Sequence, residues 1–171
     1  AKMLIDSFMP EGITQLAVDS IFMMPQLGVL ANIEKEELAE EARKASLEVF
    51  HKDCLIRLGT CIAPVGKAKD GDVILAAQFE LSNGQKVNKE LRSGELFRIK
   101  VEYEPIKAIF EPEKKIDVGA GPGETVSTTV FGGVVGIILD GRDRPIHIPN
   151  DSEIRLEKLK SWSESINEYP D

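Results

Sequence analysis

The sequence predicts an α+β fold that is mainly β: a small antiparallel β-barrel or sandwich with flanking helices. Three observations carry this. Apolar residues recur at every second position through much of Leu55 to Pro149, as in Val73, Leu75, Ala77, Phe79 and Leu81. Turn-forming residues interrupt that stretch at intervals of roughly ten, the spacing of a small all-β unit. Apolar residues at helical spacing lie before and after it.

Residues 1–31 read as helix, strand, helix. Met3, Leu4, Phe8 and Met9 end an apolar helix stopped by Pro10 and Gly12, Ile13–Val18 is a short buried strand closed by Asp19, and a second helix starts near Pro25. One strand cannot satisfy its edge hydrogen bonds alone, so residues 1–31 are expected to be the remnant of an upstream α/β domain. Residues 32–54 hold an amphipathic helix, to about Lys52, and a linker; Leu38, Ala42, Ala45 and Val49 make its apolar stripe, with Ala39 and Phe50 beside it. Its early glutamates and later Arg43, Lys44, His51 and Lys52 complement the helix dipole, so the acidic run is a solvated face.

Residues 55–149 form the β domain, with strands expected over 55–65, 73–81, 85–91, 97–103, 106–110, 116–118, 125–130, 135–140 and 145–148. Asn83-Gly84 reads as a type I′ hairpin turn. Gly71, Gly94 and Gly123 each precede an acidic residue and a strand, which is turn chemistry. Residues 150–171 form a C-terminal helix capped around Asn150–Ser152, with Leu156, Leu159, Trp162 and Ile166 as its stripe and a fraying end at Glu168–Asp171.

Composition narrows the function. A net charge of −8 repels nucleic acid and anionic membranes. No apolar run approaches the ~20 residues that span a bilayer, and the first residues do not form a signal peptide, so a cytoplasmic location is expected. Cys54 and Cys61 read as reduced buried thiols, and with only two histidines, far apart, no metal set assembles. No catalytic residue, cofactor site or nucleophile elbow is found.

Four residues stand out as candidate ligand or partner contacts. Asp19 ends a buried strand, where α/β folds bind ligands, or else caps the next segment. Asp140, Arg142 and Arg144 share a polar turn in which two arginines either grip an anion or form internal ion pairs on an exposed hairpin. Gly119–Glu124 resembles a phosphate loop, but Pro122 removes a donor and a strand follows where a helix is needed.

Three stretches carry a family resemblance: Gly12–Asp19 running on to Pro25-Gln26-Leu27-Gly28; Arg57-Leu58-Gly59-Thr60-Cys61-Ile62-Ala63-Pro64-Val65-Gly66; and, the most specific of the three, Gly132-Gly133-Val134-Val135-Gly136-Ile137-Ile138-Leu139-Asp140-Gly141-Arg142-Asp143-Arg144-Pro145-Ile146. Together they resemble the C-terminal portion of the MutL-type proteins associated with glutamate mutase, a hydantoinase-related group within the actin, sugar-kinase and heat-shock ATPase superfamily. The resemblance implies a parent protein that assists a cobalamin-dependent mutase, with nucleotide loops upstream of residue 1. It implies for this chain a non-catalytic accessory module whose partner is its own upstream domain or a mutase, with a homo-oligomer as a further option. The alternative is a fragment of a hydrolase or kinase-like enzyme with an anion-binding arginine turn. On the first reading, calorimetry should find no nucleotide binding tighter than about 10 μM, roughly −7 kcal/mol, and tighter binding would favour the second.

Overall fold

The computed structural model describes residues 1–31 and 36–166. In chain order the elements are helix α1 (Lys2–Phe8), strand β1 (Gly12–Asp19), helices α2 (Met24–Ala31) and α3 (Glu36–Val49), and a π-helical turn (Phe50–Cys54). Strands β2 (Leu55–Ala63), β3 (Val65–Gly66), β4 (Val73–Glu80), β5 (Lys86–Arg92) and β6 (Leu96–Ile99) follow. Then come β7 (Pro105–Pro112), β8 (Ile116–Asp117), β9 (Val126–Phe131), β10 (Gly136–Asp140) and helix α4 (Ser152–Ser165). They form two compact units, Ala1–Leu16 with Leu58–Asp171, and Ala17–Arg57.

The larger unit is built on two four-stranded sheets. One has the order β1-β2-β10-β6, the other β5-β4-β7-β9, and β3 pairs with β8 in a short ribbon. The second sheet is antiparallel throughout, while β10 runs parallel to β2 and antiparallel to β6. Among the described residues both sheets end in edge strands and no closed barrel is found, so the chain is α+β and mainly β without the barrel.

Strand alternation decides what each face buries. Ile62, Ile137, Leu139 and Ile99 of the first sheet meet Leu75, Phe79, Ile106 and Phe110 of the second in one apolar core. The intervening positions, Cys61, Ala63, Leu96 and Ile138, face the other way and pack with Ile5 of α1 and with Trp162 and Ile166 at the end of α4. All five residues of β10 are therefore buried, as expected for a central strand covered on both faces. Arg98 joins these parts by donating to the carbonyls of Val135 (2.6 Å) and Ile166 (3.0 Å).

Several expectations need correction. The first strand, expected to lack neighbours, lies beside β2 as the edge of the first sheet. The strand expected over 97–103 stops at Ile99, and 145–148 makes no strand, because Pro145 and Pro149 have no N–H for a ladder. The Asn83-Gly84 turn is not type I′. Gly84 donates to the Leu81 carbonyl and Leu81 to the Gln85 carbonyl, and of the two central residues only Gly84 has positive φ, which is the three-residue hairpin with a bulge. In α4, Leu156 is exposed although Leu159 and Trp162 are packed. The predicted beginning of the acidic helix at 32–35 and the fraying end at 168–171 lie outside the described residues.

In the smaller unit, α2 packs against α3. The buried line of α3 is Ala39 and Ser46 with half-buried Ala42, while Ala45 and Val49 are exposed, so the stripe is rotated from the one predicted. Small residues at these places let helices approach closely. Cys54, in the π-helical turn, is buried and unpaired, and its carbonyl accepts from the Ser20 N–H and hydroxyl.

Two glycines permit the parallel contact of β2 with β10. Gly59 and Gly136 are register partners, both at positive φ, and a Cβ on Gly59 would lie 1.8 Å from the Gly136 carbonyl oxygen. Gly59→Ala should therefore destabilise by more than about 2 kcal/mol, read as a lower urea midpoint. Gly71→Ala, with nothing within 4 Å of its Cβ position, should pay only for left-handed backbone, of order 1 kcal/mol.

Candidate functional site

The polar turn after β10 is the densest electrostatic feature of the larger unit. Asp140 ends β10 on the same face as Ile138, toward the helices, and is fully buried. Its carboxylate accepts from Arg142 Nε and Nη2, both at 2.8 Å, from the Arg142 N–H at 3.1 Å, and from Arg144 Nη2 at 2.9 Å. Arg142 Nη2 also lies 2.9 Å from Asp6 Oδ1 of α1, which Lys2 holds at 2.7 Å through Oδ2. The guanidinium carbon of Arg142 is 5.0 Å from the centre of the Trp162 ring. Trp162 donates to the Gly94 carbonyl at 2.9 Å. Arg144 reaches the Pro10 carbonyl at 3.0 Å.

In this cluster two carboxylates, Asp140 and Asp6, are shared among three cations, Arg142, Arg144 and Lys2. Burial pushes the Asp140 carboxyl up, but the hydrogen bonds and charges of Arg142 and Arg144 outweigh it and hold the group below 3.8. Burial likewise disfavours the Arg142 cation, and Asp140 more than offsets it. The Cys61 thiol, buried on the same sheet face, is pushed up to about 12, chiefly by burial, so it is protonated and inert at neutral pH.

The four predicted site residues thus divide. Asp140, Arg142 and Arg144 come together, as a buried ion-pair cluster and not an exposed hairpin. Asp19 belongs to the smaller unit, where it caps the approach to α2 by accepting from Ile21 (3.2 Å), Met23 (3.2 Å) and Met24 (2.9 Å). Those backbone bonds, Met24's above all, lower its pKa. The Gly119–Glu124 loop is filled in a similar way. Asp117 Oδ1 takes the N–H groups of Gly119 (2.6 Å) and Gly121 (2.9 Å), occupying donors that a phosphate would need.

Sequence reasoning missed Lys67, Ser93 and Asp143, which line a cleft of about 400 Å³ beside the cluster. Ser93 sat in a motif read only as a turn. That turn pairs with the earlier one: Gly71 donates to the Ser93 carbonyl and Ser93 to the Asp72 carbonyl. Among the described residues no three of His, Cys, Asp and Glu gather at metal-binding distance, and no helix is long and apolar enough to cross a membrane. Compared with protein-family models, curated proteins and solved structures, the chain matches none.

Removing the central charge should expose what it holds. Asp140→Asn leaves two arginines buried short of a counter-charge and should cost about 3–5 kcal/mol in denaturant titration. Because the folded pKa of Asp140 is depressed, its contribution is present above 3.8 and lost as pH falls through the lower folded value. The variant should accordingly lose that part of the native chain's acid sensitivity; an unchanged acid limb of the stability curve would contradict the assignment.

Proposed function

We propose that the chain is a non-catalytic docking module that receives an extended segment of a protein partner along the outer edge of β1. The observation that carries this reading is the character of that edge. Between its ends β1 reads Ile13-Thr14-Gln15-Leu16-Ala17-Val18, without charge or proline. Such an edge is a template for another strand. The other edges are blunted. β5 carries Lys86, Lys89, Glu90 and Arg92; β6 has four residues; and the far end of β9 is held by Thr60, which bonds both backbone groups of Phe131. On α1, Met3 is 81% and Phe8 77% exposed.

The resemblance to MutL-type proteins supplies the partner class: an upstream domain of the same protein, or a cobalamin-dependent mutase that the parent protein helps to assemble or reactivate. A second copy of the chain would meet the same edge. The enzyme-fragment alternative needs Arg142 and Arg144 turned toward a substrate, and the contacts of both guanidinium groups with Asp140 weigh against it.

Gln15 is exposed on β1, so Gln15→Lys blunts the edge without touching a core. Light scattering across a concentration series should find the native chain assembling, with the midpoint raised about tenfold or more in the variant, a cost of about 1.4 kcal/mol. A strictly monomeric native chain, whose β1 amides also gain no protection from hydrogen exchange beside a mutase from the same organism, would sink the proposal.

A further inference from the structure

The cleft beside the arginine cluster carries a second proposal that does not rest on the docking reading. Its walls are the segment Pro64–Ala68 and the turn Gly141–Arg144, its floor includes Ile74 and Ile116, and Ser93 lies where it meets a smaller lateral cleft of about 190 Å³. At about 400 Å³ it falls in the range of small-molecule sites. Three polar side chains on it are uncommitted. Ser93 is 8% exposed; its hydroxyl keeps some contact with solvent and bonds to no other described residue, so it is open to a ligand. Lys67 and Asp143, both exposed, line the cleft without pairing with each other or with another described residue. Behind the turn the guanidinium groups of Arg142 and Arg144 are engaged by Asp140 and Asp6, the latter shared with Lys2. What remains facing the cleft is one cation, one anion and one hydroxyl beside apolar surface.

We infer that this cleft binds a small zwitterion, an α-amino acid with an apolar side chain. Its carboxylate would meet Lys67 and the Ser93 hydroxyl, its ammonium Asp143, and its side chain the surface of Val65, Ile74 and Ile116. A ligand of zero net charge carrying both signs matches this balance better than a phosphate, which would leave Asp143 repelled. The turn bearing Asp143 is held from behind by the hydrogen bonds of Arg142 and Arg144, so that wall is formed before a ligand arrives.

The test follows backbone amide resonances while titrating L-leucine, 3-methylbutylamine (leucine without its carboxylate) and 4-methylpentanoate (leucine without its ammonium). Leucine should give saturable shifts centred on residues 64–68, 93–94 and 141–144, and each single-charge analogue should bind about tenfold more weakly, the usual scale of one charged hydrogen bond. Lys67→Gln should weaken leucine and 4-methylpentanoate about tenfold and leave the amine unchanged; Asp143→Asn should do the reverse. Gln15→Lys should bind leucine like the native chain, which separates this site from the β1 edge. Absence of saturable shifts there at about 10 mM leucine, an affinity weaker than about −3 kcal/mol, would overturn the assignment. So would a single-charge analogue binding as tightly as leucine, or both cleft variants binding leucine as the native chain does.

Discussion

The buried carboxylate of Asp140 is the interaction on which the larger unit is organised. It sits at the end of the central strand, at 0% exposure, where an unpaired charge would be prohibitive. Its pairing with Arg142 and Arg144 makes burial tolerable, and it dictates where the arginines go. Once there, each arginine reaches a different part of the chain: Arg142 meets Asp6 of α1 and the ring of Trp162, and Arg144 meets the carbonyl of Pro10 just before β1. Apolar packing alone would favour covering the face bearing Cys61 and Ile138, but it is non-directional. Fixed forks of hydrogen bonds add direction, specifying which turn of α1 and which end of α4 lie over the strand.

The stacking of two sheets beneath this cluster depends on backbone approach as much as on side chains. Gly59 and Gly136 face each other across the parallel pair, and a Cβ at Gly136 would come within 2.2 Å of the Ile99 carbonyl on the other flank. Parallel strands need a long connection between them. Here it comprises β3 to β9, including the entire second sheet. The second sheet thus reaches its place over Ile62, Ile137 and Leu139 as part of the crossover that makes the first.

Much of this architecture was legible, and the exceptions have physical causes. β4 and β7 announce themselves by alternation because one face is wet. β10 is buried on both faces and shows no alternation, yet its run of apolar residues between glycine and aspartate still marks it. The segment Pro145-Ile146-His147-Ile148-Pro149 alternates convincingly and is no strand, since period-two spacing says nothing about the donors two prolines lack. The charged trio was visible as Asp140-x-Arg142-x-Arg144, but its orientation was not. That depends on Pro10, 134 positions away from Arg144, and on Asp6, whose spacing from Lys2 reads as a surface helical pair. The uncommitted hydroxyl of Ser93 was hidden for a related reason: a serine between charged residues and glycine is ordinary turn chemistry until its burial is known.

The aspartates together separate folding from function. Asp19 collects three backbone N–H groups before α2, Asp117 two from its glycine loop, and Asp151 two at the start of α4. Asp140 collects two guanidinium groups. In each, the carboxylate offsets donors that the local backbone or burial would strand, so each is accounted for by structure alone. Asp143 lies between the two arginines of the same turn, yet its carboxylate has no such duty among the described residues, and it stands exposed on a cleft that Lys67, in the same condition, also lines. A side chain that the fold does not need is no proof of a ligand, because solvated charges are common on any surface. What distinguishes this pair is the hydrogen-bonded turn that carries Asp143 and the hydroxyl of Ser93 on the lining of the same cleft. Together these restrict the ligand's charge and size more tightly than any single aspartate of the chain does.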